Sequence, residues 1–323
     1  ETIADHQNPV PLPVISVDEP TMSMTIGINT SPLAGKEGTK LTPRLLANRL
    51  EAETVGNVSI KVSPADRSET WIVQGRGELQ LAVLIETMRR EGFELTVGKP
   101  EVVTREIEGT LHEPLETLFI ETEEEYVGAI TQSLAKRKGN MKDMSNYGEN
   151  NVHLEFEAPV RGLIGFQTEF LTNTRGTGII NRLAAGFIPW LGEIRTRASG
   201  SLVSDRPGQS TTHALQNLQE RGRLFISPGI PIYEGMIIGE NARADDMDVN
   251  PTREKKLTNM RSAHADATEH LTPATELSLE KALEFISADE CLEVTPSLVR
   301  LRKVILDTHA RNKEAKQSRK SLS

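Results

Sequence analysis

The pattern of hydrophobic and polar residues predicts the same order of elements twice before residue 189. In the first segment, residues 22–29 alternate between apolar and polar side chains, which is typical of a half-buried strand. Thr42 and Pro43 then supply a cap and a first-turn proline for a helix that runs to Val55. Two strands, a helix and a closing strand are predicted at residues 58–62, 70–74, 77–90 and 95–97.

The second segment repeats this order without repeating the sequence. Its strands are predicted at residues 102–107, 115–121, 141–147, 152–157 and 178–187. Its helical segments are predicted at residues 123–138 and 163–174. The order strand–helix–strand–strand–helix–strand is that of the split βαβ, or ferredoxin-like, fold. We therefore predict an α+β protein with ferredoxin-like domains at residues 20–98 and 101–188. Residues around Pro100 that interrupt helices and strands would join the two domains.

Residues 193–323 are predicted to form a third domain of mixed α/β structure that ends in a basic tail. Its predicted strands and helices lie at residues 195–203, 210–221, 223–226, 233–240, 277–286, 292–295 and 298–302. Ser278 is a candidate cap for the helix at residues 277–286. The polar tail beyond Asp307 is predicted to be a frayed helix.

Residues 241–273 separate two predicted elements of this third domain. They show neither the two-residue period of a strand nor the 3.6-residue period of a helix. Their apolar residues do not alternate, and they are too sparse for the stripe of a helix. Loops of this length in compact domains are uncommon and are usually functional or disordered. We therefore predict one long loop here.

The centre of this loop is basic, since it carries four cations and one acid, Glu254. Arginine supplies a planar fork, lysine a point charge, and Asn and Thr short polar contacts, a mixture that suits phosphate groups. A solvated loop without a binding role is the alternative interpretation. The loop residues in question are Arg253, Lys255, Lys256, Thr258, Asn259 and Arg261.

Composition narrows the class of protein. The chain has 323 residues, 37 % of them hydrophobic, and no apolar run long enough to cross a membrane. Its single cysteine, Cys291, excludes an internal disulfide framework and lies in an apolar run that favours a buried position. Residues 1–19 are rich in proline and are predicted to be an extended linker. Because the chain begins without Met, we expect it to be part of a longer one.

Charge is distributed unevenly along the chain. The net charge of −9 alone argues against nucleic acid. However, residues 296–323 carry eight Lys and Arg against two acids, and Lys136, Arg137 and Lys138 form a second basic cluster. A chain polarised in this way can present a basic face to RNA. Residues 106–125 carry eight acids and no Lys or Arg, so a protein-interaction surface is another interpretation.

Candidate catalytic chemistry is limited. The chain contains neither a nucleotide-binding P-loop nor a nucleophile elbow. A metal-dependent hydrolase using His264, Asp266 and His270 is the alternative function, although their spacing matches no known ligand pattern. Gly75 and Gly77 before a helix could bind an anion, or could serve only as a tight turn.

Several runs of residues resemble elongation-factor-G-like translational GTPases. Residues 75–81 are similar to the glycine-rich turn of the third domain of that class, although Gln80 stands where His is usual. Residues 135–139 and 175–178 resemble its fifth domain. Residues 158–166 and 251–261 resemble the BipA/TypA family specifically, and the resemblance extends over about residues 20–303.

The resemblance implies a C-terminal fragment that lacks the GTPase domain and the second domain, so GTP and Mg would bind in the missing half. It implies no catalytic residues and no cofactor here. The implied partners are the 70S ribosome, 23S and 16S rRNA and A-site tRNA, with docking at the elongation-factor site. We further expect a cytoplasmic monomer, without membrane attachment, linked to ribosome assembly, stress and virulence regulation. The expected RNA-binding residues are Arg253, Lys255, Lys256, Thr258, Asn259, Arg261, Lys136, Arg137 and Lys138.

Overall fold

The computed structural model describes residues 19–148, 150–194, 197, 199–254 and 271–321, together with Asp5, Gln7 and Val10. Most of the predicted linker at residues 1–19 lies outside this part of the chain. So does the centre of the predicted loop, residues 255–270.

The first unit has the predicted order of elements. It comprises β1 (Met22–Ile28), α1 (Pro43–Gly56), β2 (Lys61–Pro64), β3 (Thr70–Gly75), α2 (Glu78–Arg90) and β4 (Leu95–Gly98). The strands lie in the order β4-β1-β3-β2, which is the ferredoxin-like arrangement. Strand β2 begins three residues later than predicted and includes Pro64, whose missing N–H is tolerated on an edge strand. Thr42 occupies the cap position of α1, but its side chain makes no capping hydrogen bond.

The second unit is also ferredoxin-like, with its strands in the order β10-β7-β9-β8. After β5 (Glu101–Val102), it comprises β6 (Arg105–Ile107), β7 (Thr110–Glu123), α3 (Glu124–Lys136), β8 (Asn140–Tyr147), β9 (Asn151–Pro159), a 3-10 turn (Val160–Leu163), α4 (Phe166–Asn173) and β10 (Ile179–Pro189). The predicted strand 102–107 is divided, because β5 pairs with β1 whereas β6 pairs with β7. The helical segment predicted at 163–174 is interrupted at Gly165, whose φ of 73° lies in the left-handed region.

The remaining residues form a C-terminal unit of short strands and helices. They are β11 (Ser201–Ser204), β12 (Gly208–Gln209), α5 (Thr212–Leu218), β13 (Gly222–Leu224), β14 (Pro231–Ile232), β15 (Met236–Asn241), β16 (Met247–Val249), α6 (Leu279–Phe285), β17 (Glu290–Val294), β18 (Val299–Lys303) and α7 (Thr308–Ser321). The hydroxyl oxygen of Ser278 accepts a hydrogen bond from the backbone N–H of Lys281 and caps α6, as predicted. Cys291 is 3 % exposed within β17, which confirms its buried position.

The long loop predicted at residues 241–273 is wrong at its beginning. Strand β16 lies inside it and pairs in parallel with β11, so that Met247 lies opposite Leu202 in the ladder. Asp246 is held by the Nζ of Lys303 at 2.5 Å, and Asp248 by Arg311 at 2.6 Å. A three-residue strand is too short to show alternation, which is why the pattern missed it.

Strand β4 of the first unit pairs antiparallel with β17 of the C-terminal unit, with Leu95 opposite Val294 and Gly98 opposite Cys291. We call this boundary the seam. It joins the two units in one sheet of eleven strands, whose main path is β16-β11-β15-β18-β17-β4-β1-β3-β2. One hydrophobic core extends across it, since Leu283 of α6 belongs to the same cluster as the buried side chains of α1 and α2. The second unit has a core of its own.

A buried carboxylate, that of Glu293, connects the two units at the seam. Its side chain is completely buried. It accepts hydrogen bonds from Asn29 at 3.0 Å and Ser31 at 2.7 Å in the first unit, and from Tyr233 at 2.7 Å. Arg300 of β18 neutralises it at 2.9 Å. A buried charge is tolerated only when it is paired and hydrogen-bonded in this way.

A second carboxylate, that of Glu94, organises the chain between β1 and α1. It accepts hydrogen bonds from the backbone N–H groups of Gly35, Glu37 and Gly38 at 2.9, 3.0 and 2.6 Å, and from the side chain of Asn29 at 3.0 Å. Burial raises the pKa of Glu94, but the hydrogen bonds from Gly38, Gly35, Asn29 and Glu37 together hold that pKa below its usual value. The negative form of Glu94 therefore fixes this loop.

The second unit meets the other two near the amino-terminal end of α2. Thr168 of α4 donates to Glu284 of α6 at 3.0 Å, and Gly165 lies so close to Glu284 that a Cβ there would approach its side chain to 3.2 Å. Burial raises the pKa values of both Glu78 and Glu284, and the charge of Arg137 acts against that rise at both carboxyl groups. None of the helices in the described ranges is long and apolar enough to cross a membrane.

We predict that Glu293→Leu lowers the free energy of unfolding by about 2–4 kcal/mol, because it removes a completely buried charge partner and hydrogen-bond acceptor while Arg300 keeps its ion pair with Glu37. Arg300 would lose its deepest counterion, and Asn29, Ser31 and Tyr233 their acceptor. Denaturant unfolding would measure the change. Glu51→Leu, on the exposed side of α1, is the control and should change stability by less than about 0.5 kcal/mol. Equal effects of the two substitutions would contradict the role of Glu293.

A pH prediction follows from Glu94. Because its folded pKa is depressed, its charge contributes stability above the unfolded pKa of about 4.3, and that contribution is lost as the pH falls through the folded pKa. We expect Glu94→Gln to cost about 1–3 kcal/mol at pH 7 and progressively less below about pH 4. Unfolding of both proteins across the pH range would measure this; a difference independent of pH would contradict it.

Candidate nucleic-acid interface

Helix α5 anchors the chain on both sides of residues 255–270, which we call the basic segment. The hydroxyl of Thr211, which precedes α5, donates to the carbonyl oxygen of Arg253 at 2.6 Å. The backbone N–H of Thr272 donates to the side-chain oxygen of Gln219, just beyond α5, at 3.0 Å. The segment at residues 255–270 therefore leaves and rejoins the described structure at opposite ends of one helix, which is about 10 Å long.

A tight turn sets the direction of the chain just before this segment. The side-chain oxygen of Asn250 accepts hydrogen bonds from the N–H of Thr252 at 2.9 Å and from its hydroxyl at 2.8 Å. The carbonyl of Pro251 accepts from the N–H of Thr211 at 3.0 Å. Asn favours such turns because its short side chain bonds the backbone two residues on. Arg253 then emerges as an exposed residue.

Of the six loop residues predicted to bind RNA, only Arg253 belongs to the described part of the chain. The other five, Lys255, Lys256, Thr258, Asn259 and Arg261, lie outside it, as do His264, Asp266 and His270. Their roles therefore stay predictions.

Two further cations lie at the other end of α5 and were missed by the sequence analysis. Arg221 follows the helix, and its carbonyl accepts a hydrogen bond from the N–H of Ala242, next to Arg243, at 2.8 Å. Both arginines are exposed, and neither has a carboxylate partner among the described residues. We call Arg221, Arg243 and Arg253 the basic edge. Arg221 lies three residues beyond the helix in the chain. Pairing of β13 with β15 brings Arg243 to the same helix, and the hydrogen bond from Thr211 holds Arg253 at its other end.

The basic cluster after α3 is divided by its geometry. Arg137 turns inward, since its guanidinium donates to the carbonyl oxygens of Gly162 and Ile164 at 2.7 and 2.8 Å and pairs with Glu169 at 2.7 Å. These three acceptors hold the guanidinium of Arg137 against the second unit, and its RNA-binding role stays a prediction. Lys136 and Lys138 are exposed and remain candidates for phosphate.

The acidic stretch at residues 106–125 is not a uniform interaction surface. Glu113 is completely buried and is paired with Arg161, whose guanidinium also lies 3.8 Å from the centroid of the Trp190 ring. Glu116 pairs with Arg182 at 2.7 Å. These acids stabilise the second unit, which weakens the interpretation of the stretch as a docking face.

Comparisons with known proteins agree with the fold. Residues 110–198 match the family model of the elongation factor G C-terminus, and residues 199–308 match that of the TypA/BipA C-terminal domain. The fold and these matches define an elongation-factor-G-like C-terminal module followed by a domain specific to one family. The match of residues 199–308 to the TypA/BipA C-terminal domain agrees with the resemblance that the sequence indicated.

Relatives over nearly the whole chain carry the same description. A Bacillus subtilis (strain 168) protein described as "Large ribosomal subunit assembly factor BipA" is 46 % identical over 98 % of this chain and 51 % of its own length. Proteins so described from Salmonella typhimurium and Synechocystis sp. are 46 % and 44 % identical over 94 % of this chain and 50 % and 51 % of their own. The chain thus spans about half the length of these curated relatives.

Among solved structures, the crystal structure of a Thermus thermophilus protein gives a TM-score of 0.36 at 12 % identity. The match covers 59 % of this chain and 44 % of that protein. A similarity this weak supports no conclusion.

We predict that Arg137→Met lowers the free energy of unfolding by about 1–3 kcal/mol, because it leaves two carbonyls and a carboxylate without their donor. Lys136→Met, its exposed neighbour on the same turn, should change stability by less than about 0.5 kcal/mol. Chemical denaturation of both variants would measure the effect. If Arg137→Met were neutral for stability but weakened RNA binding, the structural role assigned to Arg137 would be wrong.

Proposed function

We propose that this chain is the ribosome- and RNA-binding part of a translational GTPase of the TypA/BipA type. The observation that carries the proposal is the basic edge, since three arginines flank the helix from which the Lys- and Arg-rich segment departs. The description of its relatives as large ribosomal subunit assembly factors supports the ribosome as its target. This chain supplies the surfaces that bind the ribosome and RNA, and GTP hydrolysis belongs to another part of the full-length protein.

The geometry suits an RNA backbone better than base recognition. Arg221 and Arg253 lie at opposite ends of α5, so cations on this edge are spaced over about 10 Å, a distance that spans neighbouring phosphates. Aromatic residues make up only 4 % of the chain, which disfavours binding through stacked bases. The edge therefore provides electrostatic positioning rather than sequence readout.

The individual RNA partners and the cellular roles are part of the same proposal. Docking at the elongation-factor site would bring the basic segment toward A-site tRNA and 23S rRNA, and would bring Lys136 and Lys138 of the second unit toward rRNA. Contacts with 16S rRNA, action in the cytoplasm and roles in ribosome assembly, stress and virulence regulation are proposed from the family resemblance alone.

We predict that Lys255→Ala/Lys256→Ala weakens binding to purified large ribosomal subunits. Removing one cation from a phosphate should flatten the slope of log affinity against log salt by about 0.7–0.9, so the double variant should reduce the slope by about 1–2 units. Arg221→Ala/Arg243→Ala should produce a similar reduction, because the two arginines belong to the same edge. Co-sedimentation at several salt concentrations, with the full-length GTP-bound protein and with this chain, would measure both.

Arg44→Ala/Lys61→Ala is the matched control for charge, since both residues are exposed on the first unit, where β2 forms the opposite edge of the large sheet. This control should leave the slope unchanged. Unchanged affinity and slope in the Lys255/Lys256 variant of the full-length protein would instead support a loop without a binding role. Equal reductions in the control would show that the effect comes from net charge alone.

A further inference from the structure

A cavity of about 580 Å³ lies on the large sheet at the seam, away from the basic edge. Its floor is the face of β1, β3 and β4 opposite the main core, because Met22, Met24 and Ile26 of β1 point into the core and alternate with the residues that face the cavity. Its volume is within the range of about 300–1,000 Å³ that small-molecule sites occupy. The proposed RNA contacts make no use of it.

Hydroxyl groups, glycines and the side chain of Ile72 form this floor. Thr25, Thr70 and Thr96 line it from three neighbouring strands, and Gly27 and Gly98 lie between them in the ladder. A Cβ at Gly98 would approach the hydroxyl oxygen of Thr25 to 2.2 Å, and one at Gly27 would approach that of Thr70 to 3.2 Å. The two glycines therefore keep space open beside the hydroxyls.

Arg302 of β18 reaches this floor without a counterion. It is 4 % exposed, and its guanidinium donates to the hydroxyls of Thr30 and Thr96 at 3.0 and 3.2 Å and to the carbonyl of Lys303 at 3.2 Å. Its Nε has no partner among the described residues, and no carboxylate in that part of the chain pairs with it. Buried arginines without a negative partner are unfavourable, so this group indicates an absent anion.

The neighbouring cations of the seam make the contrast clear. Arg300 pairs with Glu293 at 2.9 Å, Lys303 with Asp289 at 2.7 Å, and Arg197 with Glu290 at 2.9 Å. Each of them has a carboxylate, whereas Arg302 faces hydroxyls and a carbonyl only.

Two more cations line the same cavity without protein partners in the described structure. Lys99 follows β4 and is half-buried. Burial and the charge of Arg197 lower its pKa, and the carboxylates of Glu290, Glu101 and Asp289 act against that fall without forming an ion pair with it. Arg67 enters from the β2–β3 turn. Cys291 lies opposite Arg302 in the ladder and lines the same cavity as Arg67, and burial raises the pKa of its thiol.

Acidic residues restrict which anion can enter. Asp66, Glu69 and Glu101 line the cavity and are exposed, whereas Glu290 is completely buried and is neutralised by its own cations. An extended polyanion such as an RNA strand would meet the exposed carboxylates outside the cavity. A small molecule can pass them and place its negative group at the floor.

We propose that this cavity binds a small phosphorylated metabolite of up to nucleotide size, whose phosphate is held by Arg302, Lys99 and Arg67 together with the threonine hydroxyls of the floor. Arginine forks, an ammonium group and hydroxyl donors are the groups that proteins use for phosphate. Because β17 and β18 contribute Cys291 and Arg302 while β1 and β4 contribute the hydroxyls, the ligand would bind across the seam and stabilise it.

The test uses the 323-residue chain and inorganic pyrophosphate as the probe, with adenosine diphosphate and citrate as further ligands. Calorimetry should show one site, and citrate should bind at least about tenfold more weakly than pyrophosphate because its carboxylates are spread over a branched carbon chain and cannot all reach one compact donor set. Lys99→Met and Arg67→Gln should each weaken pyrophosphate binding by about tenfold, the loss of one charge-assisted hydrogen bond. Lys61→Met, on the edge strand β2, is the matched control and should bind normally.

A second readout uses Cys291, the single cysteine of the chain. Pyrophosphate should slow its modification by methyl methanethiosulfonate, followed by mass spectrometry, and should not do so in Lys99→Met. Neither readout depends on a variant of the buried Arg302. No binding at about 5 mM pyrophosphate, equal weakening in Lys61→Met, or unchanged affinity in Lys99→Met and Arg67→Gln would overturn the proposal. Tighter binding of a short single-stranded RNA at this site would also overturn it, and no arm of the test involves ribosomes.

Discussion

The pairing of buried charges at the seam is the constraint on which the rest of the structure depends. Glu293 is completely buried and is satisfied only when Asn29 and Ser31 of the first unit and Arg300 of the C-terminal unit surround it. Removing one of these partners while the seam stays closed would leave the others unsatisfied where water cannot replace the lost group. A continuous core and a continuous ladder between β4 and β17 add non-directional stability to this specific contact.

This constraint has a functional consequence, because it places a ferredoxin-like unit and the C-terminal unit in one rigid arrangement. The basic edge lies at one end of the shared sheet, beside α5, and the cavity lies at its middle. The second unit keeps its own core and touches the others through a smaller contact around Glu78 and Glu284. A rigid sheet of this kind can present cations at fixed spacing, which is what binding to a folded RNA requires.

Part of the candidate interface was accessible from the sequence. The density of Lys and Arg around Arg253 marked the basic segment, because a run of charged residues can be recognised in the sequence before the fold is known. Arg221 and Arg243 carried no such signal, since each stands alone in its local sequence and becomes relevant through pairing of β13 with β15. Arg137 shows the reverse. It lies in a basic run, yet three acceptors that are 25, 27 and 32 residues away in the sequence turn its guanidinium inward.

The sequence by itself determined the two ferredoxin-like units, the capped helix α6 and the buried position of Cys291, because alternation and helical periodicity report which side of an element is buried. Only the tertiary structure decided what lies against that side. The ladder between β4 and β17, the parallel pairing of β16 with β11 and the counterion-free position of Arg302 all depend on partners distant in the chain. A period of two or 3.6 residues records burial, but it contains no information about the identity of the neighbour.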